Sequence, residues 1–283
     1  MKIAVTAATG NFGQAAVKIL NENINPDNVV VIVRDIEKGK QLFSNNEVRQ
    51  GNYDNKESMI NSLKGIDRVL FISSQPGGAV PRSTAQKNVV DAMKANNIKF
   101  VAYTSFPNAQ TSTSALAQDH RETENAIKDA GINHSFLRNN WYLENEIVFL
   151  QSGASNNDAI YWANNTAGWA LEREYAEAAA KVVMMDNPKE VYELAGAPRS
   201  YEDLGHALQK ATGNNFAIKQ VTAKEYTKYL ENAGTDHATA ELFSSFQAPI
   251  EDGTLSEQSN DFEEALGHPL ASIEDDLKEI LAR

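Results

Sequence analysis

The sequence contains no cysteine, which excludes disulfide frameworks, Cys-ligated zinc, iron–sulfur clusters and a thiol nucleophile. Positive charge is also scarce: 26 Lys and Arg stand against 38 Asp and Glu, a formal net charge of −12. Nucleic acids and anionic membranes are recognised by basic stripes, so this balance argues against both as partners. No apolar run approaches the ~18 residues of a membrane span. Met1-Lys2-Ile3-Ala4-Val5 enters a strand-like run directly, without a cationic and then apolar leader, so the expected location is the cytoplasm. The hydrolase elbow Gly-x-Ser-x-Gly and the phosphate loop Gly-x-x-x-x-Gly-Lys are missing too. His120, His134, His206, His237 and His268 show no short metal-binding spacing, so no metal is expected.

What is present is a chain of 283 residues, 42% hydrophobic and 23% charged. A chain of this size buries enough surface to fold without covalent or metal staples. Short β-rich runs at Ile3–Val5, Val29–Val33, Val69–Ile72, Phe100–Thr104 and Ser135–Leu137 alternate with helical stretches. Runs apolar on both faces suit a parallel sheet covered by helices on each side, which predicts an α/β, Rossmann-type doubly wound domain over residues 1–150. After a Gly/Ser/Asn-rich loop at 153–157 the pattern changes, with strands near Ile160–Trp162 and Val191–Leu194. Helices are expected at Tyr175–Met185, Tyr201–Thr212 and Ala223–Ala233. Residues 151–283 therefore read as a smaller, mostly helical substrate lobe, and a cleft between the two as the expected ligand site. Acidity concentrates at the end, with ten acidic and two basic residues from Glu251 to Arg283; this reads as a solvated helical face.

The first strand leads into Thr6-Ala7-Ala8-Thr9-Gly10-Asn11-Phe12-Gly13. A glycine turn between strand and helix lets backbone N–H groups and the helix N-terminus approach a pyrophosphate. Gly10 suits the close approach and Gly13 the helix–strand packing, while Ala7 stands where a first glycine is expected. At the end of the second strand, Arg34 suits the 2′-phosphate of NADPH, with Lys38 and Lys40 nearby. Asp35 suits the ribose hydroxyl of NADH, or simply caps the next helix.

With these segments in place, the chain resembles the atypical short-chain dehydrogenases/reductases of the NmrA-like group. Within that group it is similar to bacterial NAD(P)H:quinone oxidoreductases of the type-2 kind and to the related triphenylmethane reductases. The resemblance is carried by Ala8-Thr9-Gly10-x-x-Gly13, Ile32-Val33-Arg34, Ile72-Ser73-Ser74, Lys99–Ser105, His120-x-x-Thr123-Glu124, Leu137-Arg138-Asn139-x-Trp141-Tyr142-x-Glu144-Asn145, Arg173-x-Tyr175-Ala176 and Val191–Gly196. It implies a nicotinamide cofactor, NADPH with NADH possible, held by Thr6, Ala8, Thr9, Gly10, Asn11, Phe12, Gly13, Arg34, Ser73, Ser74, Arg138, Asn139, Asn140, Trp141 and Arg173. It also implies a monomer or homodimer acting on a small quinone-like molecule.

No tyrosine has Lys four residues on, so the Tyr-x-x-x-Lys pair of ordinary carbonyl reduction is missing. The positions that would hold it are Leu116 and His120. A quinone needs less acid help, because hydride addition gives a stabilised hydroquinone anion and positioning dominates. The expected catalytic group is His120, Tyr103 and Asn139, with Phe106, Trp141 and Tyr142 as an aromatic slot. Each has a structural alternative: His120 with Glu124 as a helix-surface pair, Trp141 and Tyr142 as packing, and the serines as strand-end satisfiers. The expected function is hydride transfer from NADPH to a quinone or similar flat acceptor. The alternatives are a non-enzymatic redox sensor and a sugar-nucleotide reductase or epimerase.

Overall fold

The computed structural model describes residues 1–75 and 78–283. Its strands are β1 (Ile3–Val5), β2 (Val29–Val33), β3 (Glu47–Gln50), β4 (Arg68–Phe71), β5 (Phe100–Ser105), β6 (Asn133–Asn139), β7 (Trp141–Tyr142), β8 (Ala159–Tyr161), β9 (Trp169–Ala170), β10 (Val191–Leu194) and β11 (Ile218–Gln220). The helices needed below are α1 (Asn11–Asn23), α2 (Ile36–Leu42), α3 (Lys56–Ser62), α4 (Arg82–Ala95), α5 (Ala117–Asp129), α6 (Ile147–Ala154), α7 (Glu172–Met184) and α8 (Tyr201–Thr212).

Two compact units divide the chain. The first comprises Met1–Asn139, Glu172–Leu194 and Asp261–Gly267. It holds a seven-stranded sheet in the order β10-β6-β5-β4-β1-β2-β3, parallel throughout. Strands β1, β2 and β5 are buried along their whole length, as their uninterrupted apolar runs require. Ala4, Val30, Ile32, Val69, Val101 and Tyr103 join Met59, Leu63, Val89, Met93 and Ile127 in one core. The chain winds outward from β1 in both directions, so the strand order reverses between β1 and β4. At such a switch point the loops leaving two neighbouring strands part and leave a crevice.

The second unit comprises Asn140–Leu171, Ala195–Asn260 and His268–Arg283. It contains two small parallel ribbons, β7 with β9 and β8 with β11, together with helices. Helix α8 starts at a capping box in which Ser200 and Asp203 satisfy each other's backbone groups.

The chain's course differs from a single boundary after residue 150. It returns to the first unit at Glu172, where α7 packs on α1, and β10 then extends the sheet beside β6. Strand β10 was legible as a strand, but its pairing was not. Strand β3, Glu-Val-Arg-Gln, escaped the apolar search because it is a polar edge, the usual protection of an open sheet margin. No helix among the described residues is long and apolar enough to cross a membrane.

Candidate functional site

Thr6 follows β1 directly and is fully buried. Its hydroxyl donates to Leu70 O at 3.4 Å and accepts from Ile72 N at 3.1 Å, and the Tyr53 hydroxyl reaches both Thr6 Oγ1 and Ile72 O. These bonds tie the end of β1 to the end of β4 across the switch point. Tyr53 was not anticipated; it lies far from either strand in sequence, and nothing in its local pattern marks it.

From Thr6 the loop turns sharply. Ala7 takes φ +49°, in the left-handed region that favours glycine, and Gly10 N closes the turn on Ala7 O at 3.2 Å. A Cβ on Gly13 would lie 2.6 Å from Ala8 Cα, so only glycine lets α1 approach the loop this closely. On Gly10 a Cβ would meet only Ala7 O, at 3.6 Å. That exposed face is open to a ligand's close approach, as the glycine pattern predicts. Gly10 is the N-cap of α1 and brings no side chain to cap it, and the first turn carries no acidic residue. Thr9 is half-buried and Asn11 exposed, while Ala8 and Phe12 pack inward. The loop therefore presents backbone donors at a helix N-terminus, the chemistry that a pyrophosphate requires.

At the end of β2, Asp35 caps α2 by accepting from Glu37 N at 3.0 Å and Lys38 N at 3.1 Å. Arg34 is exposed, and its guanidinium makes no hydrogen bond or ion pair with a described residue. Of the two alternatives at this strand end, the carboxylate is engaged locally and the cation is available. Beyond β4, Ser73 N donates to Thr104 Oγ1 at 2.8 Å, and that hydroxyl donates to Ser73 Oγ at 3.2 Å. Ser74 Oγ is buried without a hydrogen-bond partner among the described residues. A buried hydroxyl of this kind, beyond the strand that neighbours β1, is a feature that a polar ligand would satisfy.

His120 and Tyr103 are brought together, but inside the protein. Arg82 Nη2 lies 3.0 Å from His120 Nε2, His120 Nδ1 lies 3.0 Å from the Tyr103 hydroxyl, and that hydroxyl donates to Gln86 Oε1 at 2.8 Å. Tyr103 is fully buried and His120 is 6% exposed. Burial, aided by the Arg82 charge, holds the imidazole well below its ordinary pKa. Burial likewise raises the Tyr103 phenol. Phe106 stacks on the His120 ring at 6.0 Å. Histidine and phenol are thus members of an internal chain that ends at Gln86, whose Nε2 is buried without a hydrogen-bond partner among the described residues, and neither is a helix-surface residue. Arg82 and Gln86, which complete the chain, fall outside the strand-end segments from which the sequence candidates were drawn.

Arg138 is engaged in a second buried network. It contacts Glu124 through Nε at 2.9 Å and Nη2 at 2.8 Å, and Glu193 through Nη1 at 2.7 Å. Burial alone would push the fully buried Glu124 up, but hydrogen bonds from Arg138, Gln110 and Ser105 outweigh it and hold the carboxyl below its ordinary value. The guanidinium expected to hold a cofactor phosphate is therefore a cation between two carboxylates joining α5, β6 and β10. Asn139 ends β6, buried beside Leu194. Arg173, in the first turn of α7, is partly exposed, with Nη1 4.0 Å from Glu174.

Asn140, Trp141 and Tyr142 belong to the second unit. The Asn140 amide donates to Leu255 O at 3.0 Å and accepts from Gly168 N at 3.1 Å. Trp141 is buried, and its indole donates to Glu146 Oε1 at 3.0 Å. Glu146 also receives Trp169 Nε1 at 3.2 Å and the Tyr201 hydroxyl at 2.6 Å. Burial pushes its carboxyl up to about 7 despite these three donors. Tyr142 is half-buried. Asn140 and Trp141 thus hold the fold of this unit together with groups that were expected to face a cofactor.

Among the described residues, no group of His, Asp and Glu could hold a metal ion. The family model described as NAD(P)H-binding matches residues 7–163. Quinone oxidoreductase 2 of Escherichia coli (strain K12) is 30% identical over 275 residues, covering 96% of each chain. Among solved structures, the triphenylmethane reductase of Citrobacter sp. superposes with a TM-score of 0.94 at 28% identity, covering all of both chains. An NADPH-dependent quinone oxidoreductase of Escherichia coli, complexed with NADPH, gives 0.91 at 29% identity over 99% of each.

Proposed function

This chain belongs to the NAD(P)H-binding family of oxidoreductases, and we propose that it transfers hydride from NADPH to a quinone or similar flat acceptor. The observation that carries the reading is the loop from Thr6 to Gly13, with the open face of Gly10 at a helix N-terminus that has neither a capping side chain at its N-cap nor an acid of its own in the first turn, beside the switch point. The backbone of this loop would hold the pyrophosphate, Arg34 the 2′-phosphate, and the Ser73–Ser74 strand end the neighbouring part of the dinucleotide. When bound, the cofactor supplies the hydride.

Quinone as acceptor is supported by the relatives' names and by the chemistry of the buried side chains. A ketone needs an acid at its oxygen, whereas a quinone accepts hydride to give a stabilised anion that takes its proton from water. Tyr103 donates inward to Gln86 and His120 is neutral, so both serve as positioning residues beneath the strand ends.

The test is a titration with NADPH and NADH followed by a quinone panel. NADPH oxidation above the uncatalysed rate is expected; tight binding of NADPH without turnover on any quinone would remove the acceptor assignment. A second reading, a dinucleotide redox sensor, is favoured by the burial of both acid candidates. It predicts different affinities for oxidised and reduced cofactor without turnover, since a ligand shifts an equilibrium only by differential affinity.

A further inference from the structure

The first turn of α1 already holds an anionic group. Glu172, the first residue of α7, accepts a hydrogen bond at Oε1 from Phe12 N at 3.1 Å, across 160 positions of sequence. Gly10 has no side chain to cap the helix and the first turn has no acid of its own. The carboxylate therefore supplies what the local sequence omits: an oxygen for an orphan N–H and a negative charge against the helix dipole.

We propose that Glu172 is a resident competitor for the phosphate loop, which the pyrophosphate of the cofactor must displace or sit beside, so that this residue sets cofactor affinity. The inference rests on the dinucleotide reading of the loop. A pyrophosphate oxygen and a carboxylate oxygen ask for the same donors, and Phe12 N–H is one of the few that the loop offers. If the carboxylate stays, two like charges stand a few ångströms apart; if it leaves, its hydrogen bond is lost. Either way binding is weaker than to an empty helix N-terminus. The free protein gains a preformed loop, and the oxidised cofactor gains a group that helps it depart.

The side chain is half-buried, so an exchange of partners requires no unfolding of α7. Glu172→Gln isolates the charge, because the amide oxygen can still accept from Phe12 N–H. Glu172→Ala removes both charge and cap.

Dissociation constants for NADPH, ADP-ribose and adenosine 2′-monophosphate are measured by calorimetry for the intact protein and both variants, at low and high salt. Glu172→Gln is expected to tighten NADPH and ADP-ribose by about tenfold at low salt, less at high salt. Adenosine 2′-monophosphate, which carries no phosphate on the 5′ oxygen, should be unaffected. Glu172→Ala should tighten the same two ligands while lowering the melting temperature. Unchanged or weaker NADPH binding in Glu172→Gln would overturn the proposal and leave Glu172 as a cap only. Failure of the intact protein to bind NADPH or ADP-ribose at all would instead overturn the dinucleotide reading beneath it.

Discussion

Arg82 Nη2 stands 3.0 Å from His120 Nε2, and this contact fixes the state of the imidazole. A guanidinium has no acceptor, so Nε2 must carry a lone pair and Nδ1 the proton, which then points at the Tyr103 oxygen. Tyr103 in turn donates to Gln86. Every donor in the chain runs inward from Arg82, and protonation of His120 would break its first link. The expected consequence is an imidazole that stays neutral in the Nδ1–H form, visible by nitrogen NMR, well below pH 6.5. In the Arg82→Met variant, where the opposing cation is gone, the histidine should titrate at higher pH.

The same pairing has a sign in stability. His120 in the unfolded chain takes up a proton near pH 6.5 while the folded one does not. The unfolded state therefore binds more protons below that pH, and stability falls by up to about 1.4 kcal/mol per pH unit as the solution is acidified. Glu146 works in the opposite direction: its folded pKa is about 7 against 4.5. The folded state then binds more protons between these values, and its contribution is lost as pH rises through 7, for a total of roughly 3 kcal/mol. Below pH 6.5 the two effects oppose each other. Glu146→Gln should expose the acid loss due to His120, steepening the fall in urea midpoint between pH 6.5 and 5. A profile unchanged by Glu146→Gln would exclude a titrating carboxyl there. Trp141, Trp162 and Trp169 all lie in the second unit, so tryptophan fluorescence follows the part that Glu146 stabilises.

The strands were legible where burial on both faces left an uninterrupted apolar run, as in Val29–Val33, and the tight turn from Thr6 to Gly13 was legible because its glycine spacing reflects backbone sterics. Helix α8 was legible over its full length, since Ser200 and Gly213 mark its ends by local chemistry. Side-chain partnership was not. Arg138 reads as a cofactor cation in sequence because nothing local reveals that β10 brings Glu193 alongside it. His120 and Glu124 read as a surface pair at helical spacing, yet α5 turns that face into the core. Glu172 and Phe12 meet only when α7 returns to the first unit. Long-range pairing decides which polar residues remain available, and periodicity does not carry that information.

For Arg138 the network gives a prediction opposite to a phosphate-binding role. Removing one partner of a buried ion pair leaves the other charge uncompensated, a loss of about 3–5 kcal/mol. Arg138→Met should therefore lower stability strongly in chemical denaturation, and adding Glu124→Gln should restore part of it by removing the stranded carboxylate. Were the guanidinium a phosphate ligand, the single variant would instead weaken NADPH binding with little loss of stability.

Arg34 should behave in the reverse manner. Its side chain is exposed and makes no hydrogen bond or ion pair with a described residue, so Arg34→Ala costs the fold little. Hydrogen bonds to a charged group are worth about 1.5–3 kcal/mol, so NADPH affinity should fall by about tenfold to a hundredfold. NADH affinity should barely move, since it has no 2′-phosphate to lose contact with. Equal loss for both cofactors in a binding titration would place Arg34 away from the 2′ position.

Ala7 offers the last test, because the loop imposes a conformation that its residue type resists. At φ +49° the Cβ crowds the following carbonyl, a strain of about 1–2 kcal/mol for an L-residue that glycine does not feel. Ala7 is exposed, so its methyl group contributes no packing that substitution would remove. Against the relief stands the greater freedom of glycine in the unfolded chain, about 0.4–1 kcal/mol. The strain outweighs it, and Ala7→Gly should raise stability by roughly 0.5–1 kcal/mol, read as a higher urea midpoint at unchanged slope. NADPH affinity should hold or improve, because the helix N-terminus that follows Gly10 keeps its place. A lower midpoint would mean that the alanine rigidifies the loop more than it strains it.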